Sequence, residues 1–230
     1  MAGEEIIQGV YLIGGSGCSH SQDAAVSLIA CEEHLVMIDA GAGKGTRKIE
    51  ENIRELGFDP GDISALILTH CHVDHIGSAL YFREISGCTI IAHDLDALAI
   101  ETGDPYLTAA HWYGTRLPQT PVDRRLTQEH ETLGLGSDTI HLLHTPGHTP
   151  GSIVAYLDRA GKRVLFGQDI HGPFSREFNS DIGQWRTSME RLLGLEADIL
   201  CEGHFGTYEP KAEVERYIRG YLDQYAGEYP

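Results

Sequence analysis

Basic residues are scarce in this chain: 17 Lys and Arg stand against 34 Asp and Glu, a formal net charge of −17 with histidines neutral. A field that negative repels phosphate backbones, so no nucleic-acid partner is expected unless cations cluster locally. They do not, since Arg124-Arg125 and Lys162-Arg163 are isolated pairs. Long apolar runs are missing too; none approaches the length that spans a bilayer, and no membrane partner is expected. The five cysteines (Cys18, Cys31, Cys71, Cys88, Cys201) are odd in number and scattered. They offer no disulfide framework, which favours a reducing, cytoplasmic location. Met1 is followed by Ala-Gly-Glu-Glu, with neither the basic start nor the apolar core of a signal peptide. Repeats, low-complexity stretches and linkers are also wanting. At 230 residues, 41% hydrophobic and 22% charged, the chain is expected to form a single soluble domain over 1–230.

What the chain has instead is a concentrated set of metal-type side chains. Thr69-His70-Cys71-His72-Val73-Asp74-His75 follows the apolar run Ile63–Leu68, which has the character of a buried strand. A ligand-rich turn at a strand end is poor for packing and good for holding a cation. Imidazole and carboxylate together suit zinc, and also iron or manganese. A polar surface turn rich in histidine is the bland alternative.

The remaining pattern alternates. Gln8–Ile13, Ala25–Ala30 and His34–Ile38 are expected as strands, the last two around the turn Cys31-Glu32-Glu33. Thr46–Leu56 has helical spacing, with Ile49, Ile53 and Leu56 on one face and Gly57 ending it. A helix should follow the ligand-rich turn to about Glu84, then a strand at Cys88–Ala92 and a short helix at Asp94–Glu101. Gly103–Thr120 has no clean period and is expected as a partly helical excursion of the kind that forms lids or binding loops. Strands at Thr139–Leu143, Ser152–Leu157, Arg163–Gly167 and Ile199-Leu200, and helices at Gln184–Leu193 and Lys211–Tyr225, complete an α/β chain.

Three further strand ends carry a candidate ligand beside glycine: His148 in Thr145-Pro146-Gly147-His148, Asp169 in Gly167-Gln168-Asp169, and His204 in Cys201-Glu202-Gly203-His204. One such residue is ordinary. Several at successive strand ends, together with the dense turn, point to one shared metal centre.

The ordered set Asp39, His70-x-His72-x-Asp74-His75, His148, Asp169 and His204 resembles the metallo-β-lactamase fold superfamily on its glyoxalase II-like side. The resemblance implies an αββα sandwich of two mixed β-sheets flanked by helices, with two divalent metal ions in the cleft between sheet edges. Zinc is the expected metal, with iron or manganese as alternatives. It implies that His70, His72 and His148 bind one ion, that Asp74, His75 and His204 bind the other, and that Asp169 bridges them. Asp39 would support the motif loop by hydrogen bonds without ligating. The implied activity is hydrolysis of a small ester, thioester or lactone by a metal-bridging hydroxide. Asp74 and Asp169, with His171 added for its position, are the candidate catalytic residues.

A mononuclear iron persulfide dioxygenase shares the motif histidines and is the alternative from another reaction class. A phosphodiesterase or nuclease suits the net charge poorly, and a non-catalytic metal-binding module would not need the full ligand set. Glyoxalase II adds a helical domain with basic residues for glutathione; here only Lys211, Arg216 and Arg219 are on offer, which counts against that substrate. The partner is therefore a small-molecule substrate, and the oligomeric state is left open, a homodimer included.

Other residues have weaker claims. His171, two positions after Asp169, is a candidate substrate contact or proton shuttle, with an ordinary surface histidine as the alternative. His20 and His111-Trp112-Tyr113 are candidates for the pocket lining, though structural roles are favoured for both. Cys71 is expected to be a small packed thiol with no catalytic part. His34, His93, His130, His141 and His144 are expected to be structural. Gly14–Gly17 lacks the lysine and spacing of a phosphate-binding loop, so a plain flexible loop is expected.

Overall fold

The computed structural model describes residues 3–32 and 34–227. Strands β1 (Glu4–Ile7), β2 (Val10–Gly14), β3 (Val26–Cys31), β4 (His34–Ile38), β5 (Ile63–Ile67), β6 (Thr89–His93) and β7 (Arg124–Leu126) form one sheet in sequential order. Pairing is antiparallel from β1 to β4 and parallel from β4 to β7. A second sheet contains β8 (His130–Leu135), β9 (Asp138–His144), β10 (Ile153–Arg159), β11 (Lys162–Phe166), β12 (Ile199–Cys201) and β13 (Thr207–Tyr208). Its order is β13-β12-β11-β10-β9-β8, with β11 and β12 the parallel pair. The helices are α1 (Thr46–Glu55), α2 (Val73–Ile76), α3 (Ala79–Ser86), α4 (Asp94–Thr102), α5 (Ile182–Gly194) and α6 (Lys211–Gln224).

Both sheets are covered on both faces, which explains why the central strands are apolar at nearly every position. Successive residues point to opposite faces, so Leu28, Met37, Leu66 and Ile90 meet Ile49 and Ile53 of α1 and Phe82 of α3. Their neighbours Ile29, Val36, Ile67 and Ile91 turn inward against Leu142, Ala155, Val164 and Phe166 of the second sheet. Beyond that sheet, Val154, Leu165 and Leu200 pack on Trp185 and Met189 of α5 and on Val214 and Ile218 of α6. The result is the αββα sandwich. Among the described residues, no helix is long and apolar enough to cross a membrane.

The sequence-based elements differ from the structure in three places. The edge strands β1, β7, β8 and β13 were not expected, because edges are half exposed and their alternation is diluted by charge, as in Glu4-Glu5-Ile6-Ile7. The helix after the ligand-rich turn is broken into α2 and α3 at Gly77-Ser78. There a Cβ on Gly77 would lie 2.3 Å from the carbonyl carbon of Ala42, so the chain presses on its neighbour closer than a side chain allows. Gly103–Thr120 contains successive turns and no regular helix; α4 stops at Gly103, which takes the left-handed φ of 63°. Of the expected Cys31-Glu32-Glu33 turn, Glu33 lies outside the described residues.

The ends of five strand segments meet at one rim of the sandwich. Asp39 follows β4, the His70–His75 turn follows β5, His148 lies between β9 and β10, Asp169 follows β11 and His204 follows β12.

Candidate metal centre

The structure brings the seven candidate ligands together in two groups. His70, His72, His148 and Asp169 form one and Asp74, His75 and His204 the other, the donor atoms within each lying within 4.8 Å of one another. Asp169 stands between them. Its Oδ2 is 3.3 Å from Nε2 of His148 and 4.0 Å from Nε2 of His70, while its Oδ1 is 3.0 Å from Nε2 of His75 and 3.2 Å from Nε2 of His204. Asp74 Oδ2 lies 3.3 Å from Nε2 of His204. Gly203 permits this crowding, because a Cβ there would sit 2.7 Å from Asp169 Oδ1.

The donor set fits divalent cations on its own chemistry. Nε2 of His70 is buried and has no hydrogen-bond partner, an orphan that a cation would satisfy. Burial, helped by the neighbouring imidazoles, holds His70 and His72 well below the usual histidine range, and burial brings His148 down to about 4. These three rings are therefore neutral near pH 7, the form that ligates. Burial opposes protonation of His75 and His204 as well, but Asp169, with Asp39 for the first and Asp74 for the second, outweighs it. His75 is raised well above its usual value and His204 to about 10. The carboxylates thus demand positive charge, and a divalent cation supplies it with displacement of those protons.

Supporting hydrogen bonds aim the candidate ligands. Asp39, at φ 59°, accepts Nδ1–H of His75 at 2.7 Å and leaves Nε2 pointing at Asp169. It also accepts from the Thr69 amide and from Thr69 Oγ1, each at 2.8 Å, and Thr69 Oγ1 lies 3.1 Å from Nδ1 of His70. Carboxylate–histidine contacts of this kind set the tautomer of a ligand. Buried Glu202 places the last motif: Oε2 accepts the amides of His204 and Phe205 at 2.7 and 2.8 Å, and Oε1 is 3.0 Å from Nδ1 of His171. His171 therefore sits at the edge of the centre, its ring 5.2 Å from that of His204.

The 103–120 excursion closes the opposite side. Nε1–H of Trp112 donates to Glu177 Oε2 at 3.0 Å, and Nε2 of His111 lies 3.1 Å from the same oxygen. Trp112 also packs on Phe178, which contacts the ring of His72 at 4.3 Å. The Tyr113 hydroxyl meets Asp74, and burial together with that carboxylate keeps its proton on far above neutrality. His20 instead accepts the Gln22 amide in its own turn. Cys71 is buried in the outer core and donates to the Leu107 carbonyl at 3.2 Å, and burial holds its thiol well above the usual range.

This geometry can be set against known proteins. A model of the metallo-beta-lactamase superfamily matches residues 23–204. The chain belongs to that superfamily. Among its relatives, the hydroxyacylglutathione hydrolase GloC of Haemophilus influenzae is 30% identical, over 80% of this chain and 86% of that protein. The acyl-coenzyme A thioesterase MBLAC2 of Gallus gallus is 27% identical, over 87% of this chain and 79% of that protein. A HARLDQ-motif mutant of a metallo-beta-lactamase from Cronobacter sakazakii superposes with a TM-score of 0.84 at 23% identity, covering 99% and 96% of the two chains, and shares the fold.

Within this superfamily frame, sequence reasoning missed the residues that join its motifs. Asp96 of α4 accepts the Cys71 amide at 2.9 Å, Thr149 Oγ1 at 2.7 Å and the Gly151 amide at 2.7 Å, tying the second motif to the third. Nothing around it marks it as special: it is one acid in a helix whose first turn also holds Asp94. Glu202 was visible beside His204, but its buried, doubly engaged state was not. Phe178 comes from a stretch without period, where contacts are long-range; Tyr113 was a candidate for the pocket lining, but its contact with Asp74 was not foreseen.

Proposed function

We propose that this protein is a dinuclear metal-dependent hydrolase, with zinc the favoured ion, acting on a small thioester or a related ester or lactone. The observation that carries the reading is Asp169, which presents one carboxylate oxygen to each ligand group. His70, His72 and His148 would hold one ion and Asp74, His75 and His204 the other. When bound, the ions supply an activated water and polarise the substrate carbonyl. The chain's own groups do the rest. Asp74 and Asp169 set the negative field in which the water is held, and the Tyr113 hydroxyl fixes Asp74. His171, oriented by Glu202 at the cleft edge, delivers a proton to the leaving group. The water oxygen bonds to the acyl carbon, the C–S or C–O bond breaks, and acid and thiol or alcohol leave.

The two relatives named for thioester cleavage support that substrate class. One catalytic domain over 1–230 is part of this reading, and the origins of the candidate ligands support it: His70 to His75 follow a strand of the first sheet, and His148, Asp169 and His204 follow strands of the second. Metal analysis of the purified protein, followed by a thioester panel, tests the reading. Two zinc ions per chain with thioester turnover are expected; one iron per chain with oxygen uptake on a persulfide would replace it with the dioxygenase.

A further inference from the structure

A cavity of about 170 Å³ lies against the second ligand group, between the Gly15–Ser19 turn and the segment from Cys201 to Thr207. Leu12, Gly17, Cys18, Ala25, Gly203 and His204 are among its walls. Glu4, Ser16 and Thr207 also line it, but the polar groups nearest the ligand group are engaged elsewhere. Both oxygens of Glu202 are taken by His171 and by the amides of His204 and Phe205, and Cys18 Sγ receives Asn52 Nδ2 at 3.3 Å. The walls are pinned before any ligand arrives. The amides of Cys18 and Ser19 donate to the Gly15 carbonyl at 3.0 and 2.9 Å, Ser19 Oγ donates to Asp23, and the Ala25 amide reaches the Gly203 carbonyl at 2.7 Å. Phe205, 57% exposed, stands beside His171 at the outer edge.

We propose that this cavity is an acyl slot, which would receive a short unbranched apolar chain while the acyl carbon sits over the metal centre. The inference rests on the hydrolase reading and adds the substrate's size. An apolar cavity of roughly 150 Å³ accommodates benzene, so the slot holds about six carbons and no long chain. Each buried methylene contributes about fourfold in affinity, so two of them give roughly fifteenfold. Gly17, one of the lining residues, can accept a side chain at the rim without a clash: a Cβ there meets nothing within 4 Å, and its φ is not in the left-handed region.

The test uses the metal-loaded protein and N-acetylcysteamine thioesters of acetyl, butyryl, hexanoyl and decanoyl groups. Expected are a kcat/KM about tenfold or more higher for butyryl and hexanoyl than for acetyl, and a fall at decanoyl. Gly17→Val should abolish the hexanoyl gain while metal content and melting temperature stay at the parent values. A flat series, a maximum at decanoyl, or an unchanged series in Gly17→Val would overturn the slot. If no thioester turns over, the hydrolase reading fails on this class and calorimetry with acetate and hexanoate decides the slot alone. Hexanoate binding at least tenfold tighter than acetate, lost in Gly17→Val, supports it; equal affinities overturn it.

Discussion

Asp39 holds His75 by its Nδ1 at 2.7 Å while its other oxygen takes the Thr69 amide at 2.8 Å, so one carboxylate sets both a ligand ring and the loop that begins the ligand run. Its φ of 59° makes Asn the informative replacement, because Asn tolerates the left-handed region and Ala does not. Asp39→Asn keeps shape and removes charge. Metal affinity at the second ligand group should fall about 10- to 100-fold in chelator competition, and the melting temperature of the metal-loaded protein should fall by no more than the roughly 3–11 °C that this lost affinity accounts for. Parent affinity in this variant would mean that Asp39 acts by shape alone.

Asp96 makes a different prediction, on stability. Burial raises its pKa despite three donors, and all three lose their acceptor in Asp96→Ala. An unsatisfied buried donor costs roughly 1–3 kcal/mol, so a loss of about 3–5 kcal/mol is expected after partial rearrangement. For a chain of this size that lowers the melting temperature by about 6–20 °C. Thermal unfolding checks it, and a change of under about 3 °C would show that water replaces the carboxylate.

Asp169 and His171 lie two residues apart and should fail differently. Asp169→Ala removes the oxygen facing each ligand group, so metal content should drop below two per chain and turnover by on the order of a thousandfold or more. His171→Ala should keep its metals and lose on the order of 100-fold or more in kcat, with the loss falling most on poor leaving groups. Metal analysis beside leaving-group kinetics separates them. Loss of metal from His171→Ala would make His171 a ligand, an arrangement its distance to Asp169 and His204 allows.

Legibility in the sequence followed the range of the interactions. The buried strands were readable because coverage on both faces writes itself as apolar runs such as Ile63–Leu68, and the ligand turn because its donors lie within six residues. That His148, Asp169 and His204 come together with that turn was foreshadowed because each follows a strand beside glycine. Asp96 and Glu177 were not, since each acts on a partner more than 20 residues away, as from Asp96 to Thr149 or from Trp112 to Glu177. Edge strands were lost for the opposite reason: one exposed side dilutes the pattern that central strands display.

The stacked pair His93 and His144, with ring centroids 3.8 Å apart, gives a pH prediction away from the metal ligands. Burial, and then the neighbouring imidazole, lowers His93 to about 4, although Asp94, Glu129 and Glu131 pull the other way. In the unfolded chain its pKa is about 6.5. Between those values the unfolded state binds more protons, so stability rises with pH there. The contribution is complete above about pH 6.5 and lost as pH falls towards 4. By pH 4.5 about 2 kcal/mol of it is gone. His93 also caps α4, its Nδ1 accepting the Leu95 amide at 3.3 Å, and Asn can retain that role without titrating. Unfolding of parent and His93→Asn should therefore be compared at each pH. The parent should be the more stable at pH 7, by up to about 1 kcal/mol, and should lose about 2 kcal/mol relative to the variant by pH 4.5. A difference that stays constant from pH 7 to pH 4.5 would show that protonation of His93 is not what acid acts on.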